Sequence, residues 1–166
     1  FPETIETMGS EVFRGCTSLT YVGLNSGLAS IGDYTFYGCT SLTEYTVPVG
    51  ITSVGSYAFY GCTGLSDIEV SASVKTLGNY AFGNCTALTT GVKLTEGLTT
   101  VGNDAFNGCT SLEEIVLPDS VTTLGYNIFY NCKKLASINL PESLTSCGYN
   151  SGDGPFTNTG ITTVTI

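Results

Sequence analysis

The sequence predicts a mainly β solenoid, a right-handed superhelix of about seven coils with one short parallel strand per coil on its main sheet. Three observations carry that reading. Phe13, Phe36, Phe59, Phe82, Phe106 and Phe129 follow one another at intervals of 23 residues, with one interval of 24. Three residues after each stands a Cys (16, 39, 62, 85, 109, 132), and three further on a Leu (19, 42, 65, 88, 112, 135). After the Leu the chain reads L-x-x-apolar-x-apolar, and an alternation of period two marks a strand with one face inward.

Taken in order, each coil opens with an apolar-x-x-apolar-Gly step: Ile5-Met8-Gly9, Leu28-Ile31-Gly32, Ile51-Val54-Gly55, Val74-Leu77-Gly78, Leu98-Val101-Gly102 and Val121-Leu124-Gly125, with Leu144-Cys147-Gly148 continuing the series. The Phe that follows belongs to a stacked core spine, whose irregular seventh member is Phe156. The residue before each Cys is Gly15, Gly38, Gly61, Asn84, Gly108 or Asn131, the two residue types that most readily take the left-handed conformation. The expectation is a single helical or 3₁₀ turn over the Phe, capped by that residue. The strands are read at LTYVGL (19–24), LTEYTV (42–47), LSDIEV (65–70), LEEIVL (112–117), LASINL (135–140) and ITTVTI (161–166). The fourth copy, LTTGVKL (88–94), has one extra residue, which is expected to form a bulge next to Gly91. Stacking at a strand spacing of ~4.8 Å would give a rod roughly 30–35 Å long.

The pattern C-x-x-L-x-x-I-x-L-P-x-x-V-x-x-I-G-x-x-A-F resembles the BspA-type (Treponema pallidum-like) leucine-rich repeat, and CTSLEEIVLPDSVTTLGYNIF (109–129) is close to that consensus. The resemblance covers essentially the whole chain, read as one solenoid over 1–166. It implies a leucine-rich-repeat superhelix from a large secreted or surface protein of the kind implicated in adhesion to host matrix or other cells. Phe1 stands where Leu117 and Leu140 end their strands, and Ile166 ends another strand without a polar cap. The sequence is therefore expected to be a segment of a longer protein, with further repeats of the same chain at both ends.

Composition narrows the chemistry. Only 11% of the residues are charged, and the net charge is −9 with five basic residues, so no nucleic acid is expected as a partner. No apolar run approaches the ~20 residues of a membrane span, so no membrane insertion is expected. Histidine is absent, which removes Ser-His-Asp and Cys-His arrangements. No catalytic residue, cofactor or metal site is assigned. Glu113–Glu114 are neighbours on a strand and point to opposite faces, which weakens a glycosidase reading. The loop N-S-G-D-G (150–154) lacks the alternating acids of a calcium turn. Asn84-Cys85-Thr86 matches a glycosylation sequon inside a tight turn. The cysteine ladder is read as core, Cys being a small hydrophobe. A disulfide staple would need a dihedral that in-register side chains rarely give, and a zinc site lacks ligand spacing.

Two surfaces remain. The outward strand positions, in chain order, are Tyr21 and Gly23, Glu44 and Thr46, Asp67 and Glu69, Lys93, Glu114 and Val116, and Ser137 and Asn139. Four acids on neighbouring coils with a single Lys suggest a face for a macromolecular partner, a protein or glycan on host matrix or neighbouring cells. Tyr34, Tyr57 and Tyr80 recur two residues before the Phe, with Tyr37, Tyr60 and Tyr130 one residue after it. They read either as an aromatic contact surface or as a skirt packed on the turn. The expected function is thus a non-enzymatic adhesion module at the cell surface or secreted, the alternative being a structural spacer with no ligand of its own.

Overall fold

The computed structural model describes residues 2, 4–149 and 154–166. Phe1 and the greater part of the N-S-G-D-G loop lie outside the described residues. The chain winds into a parallel β solenoid of about six turns of some 23 residues, without a helix among the described residues. Its strands in chain order are β1 (Ser30–Ile31), β2 (Glu44–Val47), β3 (Ser53–Val54), β4 (Asp67–Val70), β5 (Thr76–Leu77), β6 (Gly91–Leu94), β7 (Thr100–Val101), β8 (Thr123–Leu124), β9 (Ser137–Asn139), β10 (Ser146–Cys147) and β11 (Thr163–Thr165).

They make two walls. The longer wall is a six-stranded parallel sheet, β1-β3-β5-β7-β8-β10, built from the apolar-x-x-apolar-Gly steps. The period-two stretches predict the main sheet on the other wall, whereas the longest ladder forms here. Two residues per coil suffice here because the next coil repeats the same half-buried and buried pair in register, as in Ser53↔Thr76 and Val54↔Leu77. The opposite wall carries the expected strands only in part: β2-β4-β6 form one sheet and β9-β11 another. The stretches 19–24 and 112–117 keep their inward–outward alternation or most of it without joining a ladder. Between Leu117 and the next coil the ladder is replaced by a side chain, Asn139, which donates from Nδ2 to Leu117 O (2.8 Å) and accepts from Leu117 N (2.9 Å). The extra residue of the fourth copy is taken up in the bend at 89–90, and β4 and β6 pair without interruption.

The Phe turn is not a helical turn. Tyr37 N donates to Tyr34 O and Cys39 N to Phe36 O, both at 3.1 Å, two linked turns rather than a continuing helix. The residue two after the Phe is left-handed as expected, with Gly38 at φ 69°, Asn84 at 55° and Asn131 at 61°. The residue two before the Phe is left-handed as well: Tyr34 (56°), Tyr57 (57°), Tyr80 (54°), Asp104 (56°) and Asn127 (53°). These two reversals turn alternate peptides toward the following coil. Tyr34, Phe36 and Gly38 donate their N–H groups to Ser56 O, Ala58 O and Tyr60 O at 2.9, 2.7 and 2.8 Å. The pattern repeats down the solenoid, so columns of backbone hydrogen bonds run along its axis.

The core is the expected spine. Phe13, Phe36, Phe59, Phe82, Phe106, Phe129 and Phe156 stack in sequence at centroid distances from 4.9 to 6.2 Å. The ladders of Leu, Ile, Val and Cys fill the space between the spine and both walls.

Candidate functional site

The strand wall holds the candidate site. In β2, β4 and β6 the inward residues Tyr45, Ile68 and Val92 are buried, and the residues between them and their neighbours face water. The register sets two rows across the coils: Glu44, Asp67 and Gly91 in one, and Thr46, Glu69 and Lys93 in the other. By the repeat period Tyr21 extends the first row and Gly23 the second. The two glycines leave low ground at each end of this surface. Tyr21 lies across Gly23, where a Cβ would stand 3.1 Å from its Oη, and the residue is 76% exposed. The Asp67 carboxylate leans over Gly91, where a Cβ would clash with Asp67 Oδ1. The result is a groove of about 590 Å³ lined by Tyr21, Glu44, Thr46, Asp67, Glu69 and Lys93, among others.

The groove's acids are poorly compensated. Among the described residues the ion pairs are Arg14–Glu11 (3.0 Å) and Lys134–Glu113 (3.5 Å), both elsewhere on the surface. Lys93 sits opposite Glu69 in register but beyond ion-pair distance. Asp67 Oδ2 takes a hydrogen bond of 2.7 Å from its neighbour Ser66. Like charges on adjacent strands repel, and here three carboxylates share two coils.

The remaining outward residues separate from the groove. Glu114 and Val116 are exposed one coil beyond Lys93, Val116 by 58%, in the stretch that forms no ladder. Asn139 has its side chain engaged by Leu117 and belongs to the frame of the wall.

The tyrosines form a rib. Tyr34, Tyr57 and Tyr80 stack face to face at 4.9 and 4.8 Å, and Tyr37 and Tyr60 beside them at 5.2 Å. The Arg14 guanidinium covers the open end, 5.4 Å from Tyr34 and 5.1 Å from Tyr37. With their faces against one another, these rings offer edges and hydroxyls to the surface, whereas a stacking ligand needs a free face. Asn84, the sequon residue, donates from Nδ2 to Tyr60 Oη at 2.7 Å, so its amide is engaged within the rib.

The cysteines are free thiols. Cys39, Cys62, Cys85, Cys109 and Cys132 each donate Sγ–H at 3.1–3.2 Å to the Phe carbonyl of the preceding coil. Phe36 O thus receives Cys39 N from its own turn and Cys62 Sγ from the next. Burial pushes the thiols up, Cys39 to about 11 and Cys62 to about 12, with Cys85 and Cys109 also well above the ordinary value. Those four thiols are therefore protonated and unreactive at neutral pH.

Two polar groups escaped the sequence reading. Asp104 occupies the left-handed position held by Tyr in three earlier coils and is 2% exposed. Its carboxylate accepts hydrogen bonds from Asn107 Nδ2 (2.7 Å) and from Tyr80, and burial raises its pKa. The substitution of Asp into a tyrosine column was the available signal. Tyr45 is 6% exposed, its ring 5.2–5.3 Å from Phe36 and Phe59, and its hydroxyl is buried without a hydrogen-bond partner.

Six copies of the BspA type leucine-rich repeat region match the sequence, over residues 1–92 and 52–166, which together span the whole chain. The chain belongs to the BspA-type leucine-rich repeat family. Among solved structures, this BspA-type solenoid is similar to a leucine-rich repeat protein of Eubacterium ventriosum, at 31% identity and a TM-score of 0.84, covering 97% of this chain and 42% of that one. A leucine-rich cell surface protein of Faecalibacterium prausnitzii shares the fold at 22% identity and a TM-score of 0.72, with 99% and 52% covered. The leucine-rich repeat protein of T. pallidum shares it at 24% identity and a TM-score of 0.59, with 99% and 71% covered. The BspA-type chain thus spans about half the length of the first two. Among curated proteins it has no match.

Proposed function

We propose that these coils are an interaction module of a secreted or cell-surface protein, and that the strand-wall groove receives a macromolecular partner on host matrix or a neighbouring cell. The observation that carries the reading is the groove itself: six outward side chains converge on one concavity with three unneutralised carboxylates. Carboxylates placed beside one another cost stability, so their concentration on one wall is most economical if a partner compensates them. Kinship with a leucine-rich cell surface protein supports the location, and the absence of His together with a shallow open groove supports a role in binding rather than turnover.

The test is binding of the immobilised chain to a panel of matrix proteins and glycans, beside a Glu44→Gln/Asp67→Asn/Glu69→Gln/Glu114→Gln variant. Saturable binding that weakens at least about tenfold in the variant, a loss of ~1.4 kcal/mol, is expected. A second reading, the spacer, draws on the unbroken six-stranded wall and the aromatic rib, which stiffen the rod. Equal or absent binding by both folded proteins would favour it.

A further inference from the structure

Resting on the strand-wall reading above, we infer that the groove's occupant is an extended, arginine-bearing segment of a partner protein. The guanidinium is seated between Glu44 and Glu69 and against the Tyr21 ring, with Asp67 beside them.

The two rows place these side chains at the corners of a small rectangle. Glu44 and Asp67 are neighbours across coils, as are Thr46 and Glu69. One edge is thus a strand spacing of about 4.8 Å, the other two residues along a strand, about 6.7 Å. Three corners are carboxylates and the fourth is the Thr46 hydroxyl. Asp67 turns its carboxylate toward Gly91 and Ser66, which leaves the diagonal pair Glu44 and Glu69 to a cation over the centre. Arg suits the corner better than Lys, because a planar fork of donors can address two carboxylates together, whereas an ammonium acts as a point charge. Tyr21, an exposed residue, adds a ring laid down over Gly23, the arrangement on which a guanidinium stacks.

The groove also sets the form of the ligand. From the coil of Tyr21 to that of Gly91 and Lys93 is three coil spacings, about 14 Å, which four residues of extended chain cross. The far end offers Lys93 instead of a carboxylate, so polarity along the groove fixes direction: basic at Glu44, neutral or acidic at Lys93. A neutral glycan fits less well. The carboxylates only accept hydrogen bonds, and a sugar would leave their mutual repulsion in place.

The experiment is titration of the folded chain with Ac-Gly-Arg-Gly-Arg-Gly-NH2 and with its lysine, citrulline and glutamate counterparts, followed by backbone amide shifts at low and high salt. The arginine peptide is expected to saturate and to shift Glu44–Val47 and Asp67–Val70. Lysine should bind more weakly, and citrulline and glutamate not measurably. Affinity should fall about tenfold at high salt, fall severalfold in Tyr21→Ala, and vanish in Glu44→Gln/Glu69→Gln with the fold retained. An arginine peptide that does not bind, a citrulline peptide that binds equally, or binding that survives Glu44→Gln/Glu69→Gln each overturns the inference. The matrix panel, run with that double variant, separates the two readings. Panel binding lost in the variant but not displaced by the arginine peptide keeps the strand wall and discards the arginine, a glycan ligand included. Panel binding indifferent to the variant discards both.

Discussion

At the scale of single residues the repeat assigns most side chains, and the informative positions are those where a column changes type. Tyr45 stands where other coils have Val22, Ile68 and Val92, and its ring reaches the Phe spine while its hydroxyl finds no partner. A buried, unsatisfied hydroxyl costs about 1–3 kcal/mol. Tyr45→Phe should therefore raise stability by about 1 kcal/mol in denaturant unfolding, and a loss would mean the hydroxyl is bonded after all. Asp104 is the second such position. Burial raises its folded pKa above 3.8, so the folded chain binds a proton more readily than the unfolded one. Stability then falls as pH climbs through the window between those two values. Asp104→Asn should be at least as stable as the parent at neutral pH, and the advantage should shrink on acidification. A variant whose deficit instead grows as the pH rises would contradict this account. Both positions were visible as anomalies in their columns. The inward place of Tyr45 follows from the alternation of its strand, whereas the burial of Asp104 does not show in the sequence, since the depth of a turn residue has no period of its own.

At the scale of the coil, two kinds of glycine that look alike in the sequence differ in cause. Gly38 is left-handed at φ 69° with open space around its Cβ direction, so Gly38→Ala should cost about 1–2 kcal/mol of backbone strain. Gly78 needs no unusual φ; a Cβ there would stand 2.6 Å from the Gly55 carbonyl carbon and 2.6 Å from Ser56 N. Backbone cannot yield as a side-chain tip can, and Gly78→Ala should cost about 3 kcal/mol or more. Equal costs at the two positions would refute the distinction. The thiol ladder makes a prediction of the same scale. Cys16 and Cys147 are exposed and the other five cysteines buried, so a thiol reagent should label two of seven in the native chain and all seven in denaturant. Repeat length, spine, turn handedness and the alternation of the strand wall were legible because each recurs six times. The six-stranded wall was not, because a two-residue strand has too short a pattern to show a period. The second left-handed position hid behind Tyr, a residue that rarely signals one. For the groove, the outward residues were legible, but its limits were set by features outside the pattern: an amide of Asn139 engaged by the wall, and glycines that let Tyr21 and Asp67 lie down.

At the scale of the whole molecule the hydrogen bonds, rings and thiol contacts stay within a coil or join it to its immediate neighbours, as Tyr34 N–H does to Ser56 O and Cys62 Sγ to Phe36 O. A structure held by such contacts behaves as a one-dimensional stack whose stability is a sum over coils and the interfaces between them. Coils should then be removable one at a time. Deleting residues 113–135 joins Leu112 to Ala136 in the same phase as Leu135, and it spares β2, β4 and β6, from which most of the groove is built. The shortened chain should fold cooperatively with the same strand signature and a lower melting temperature, and it should bind whatever the parent binds. Deleting residues 44–66 also preserves phase but removes Glu44 and Thr46 and sets Tyr21 beside Asp67. That chain should fold comparably and bind weakly or not at all. Loss of folding in both would show that the coils are not interchangeable units. Loss of binding in both would move the site off the groove and onto a feature of the full stack.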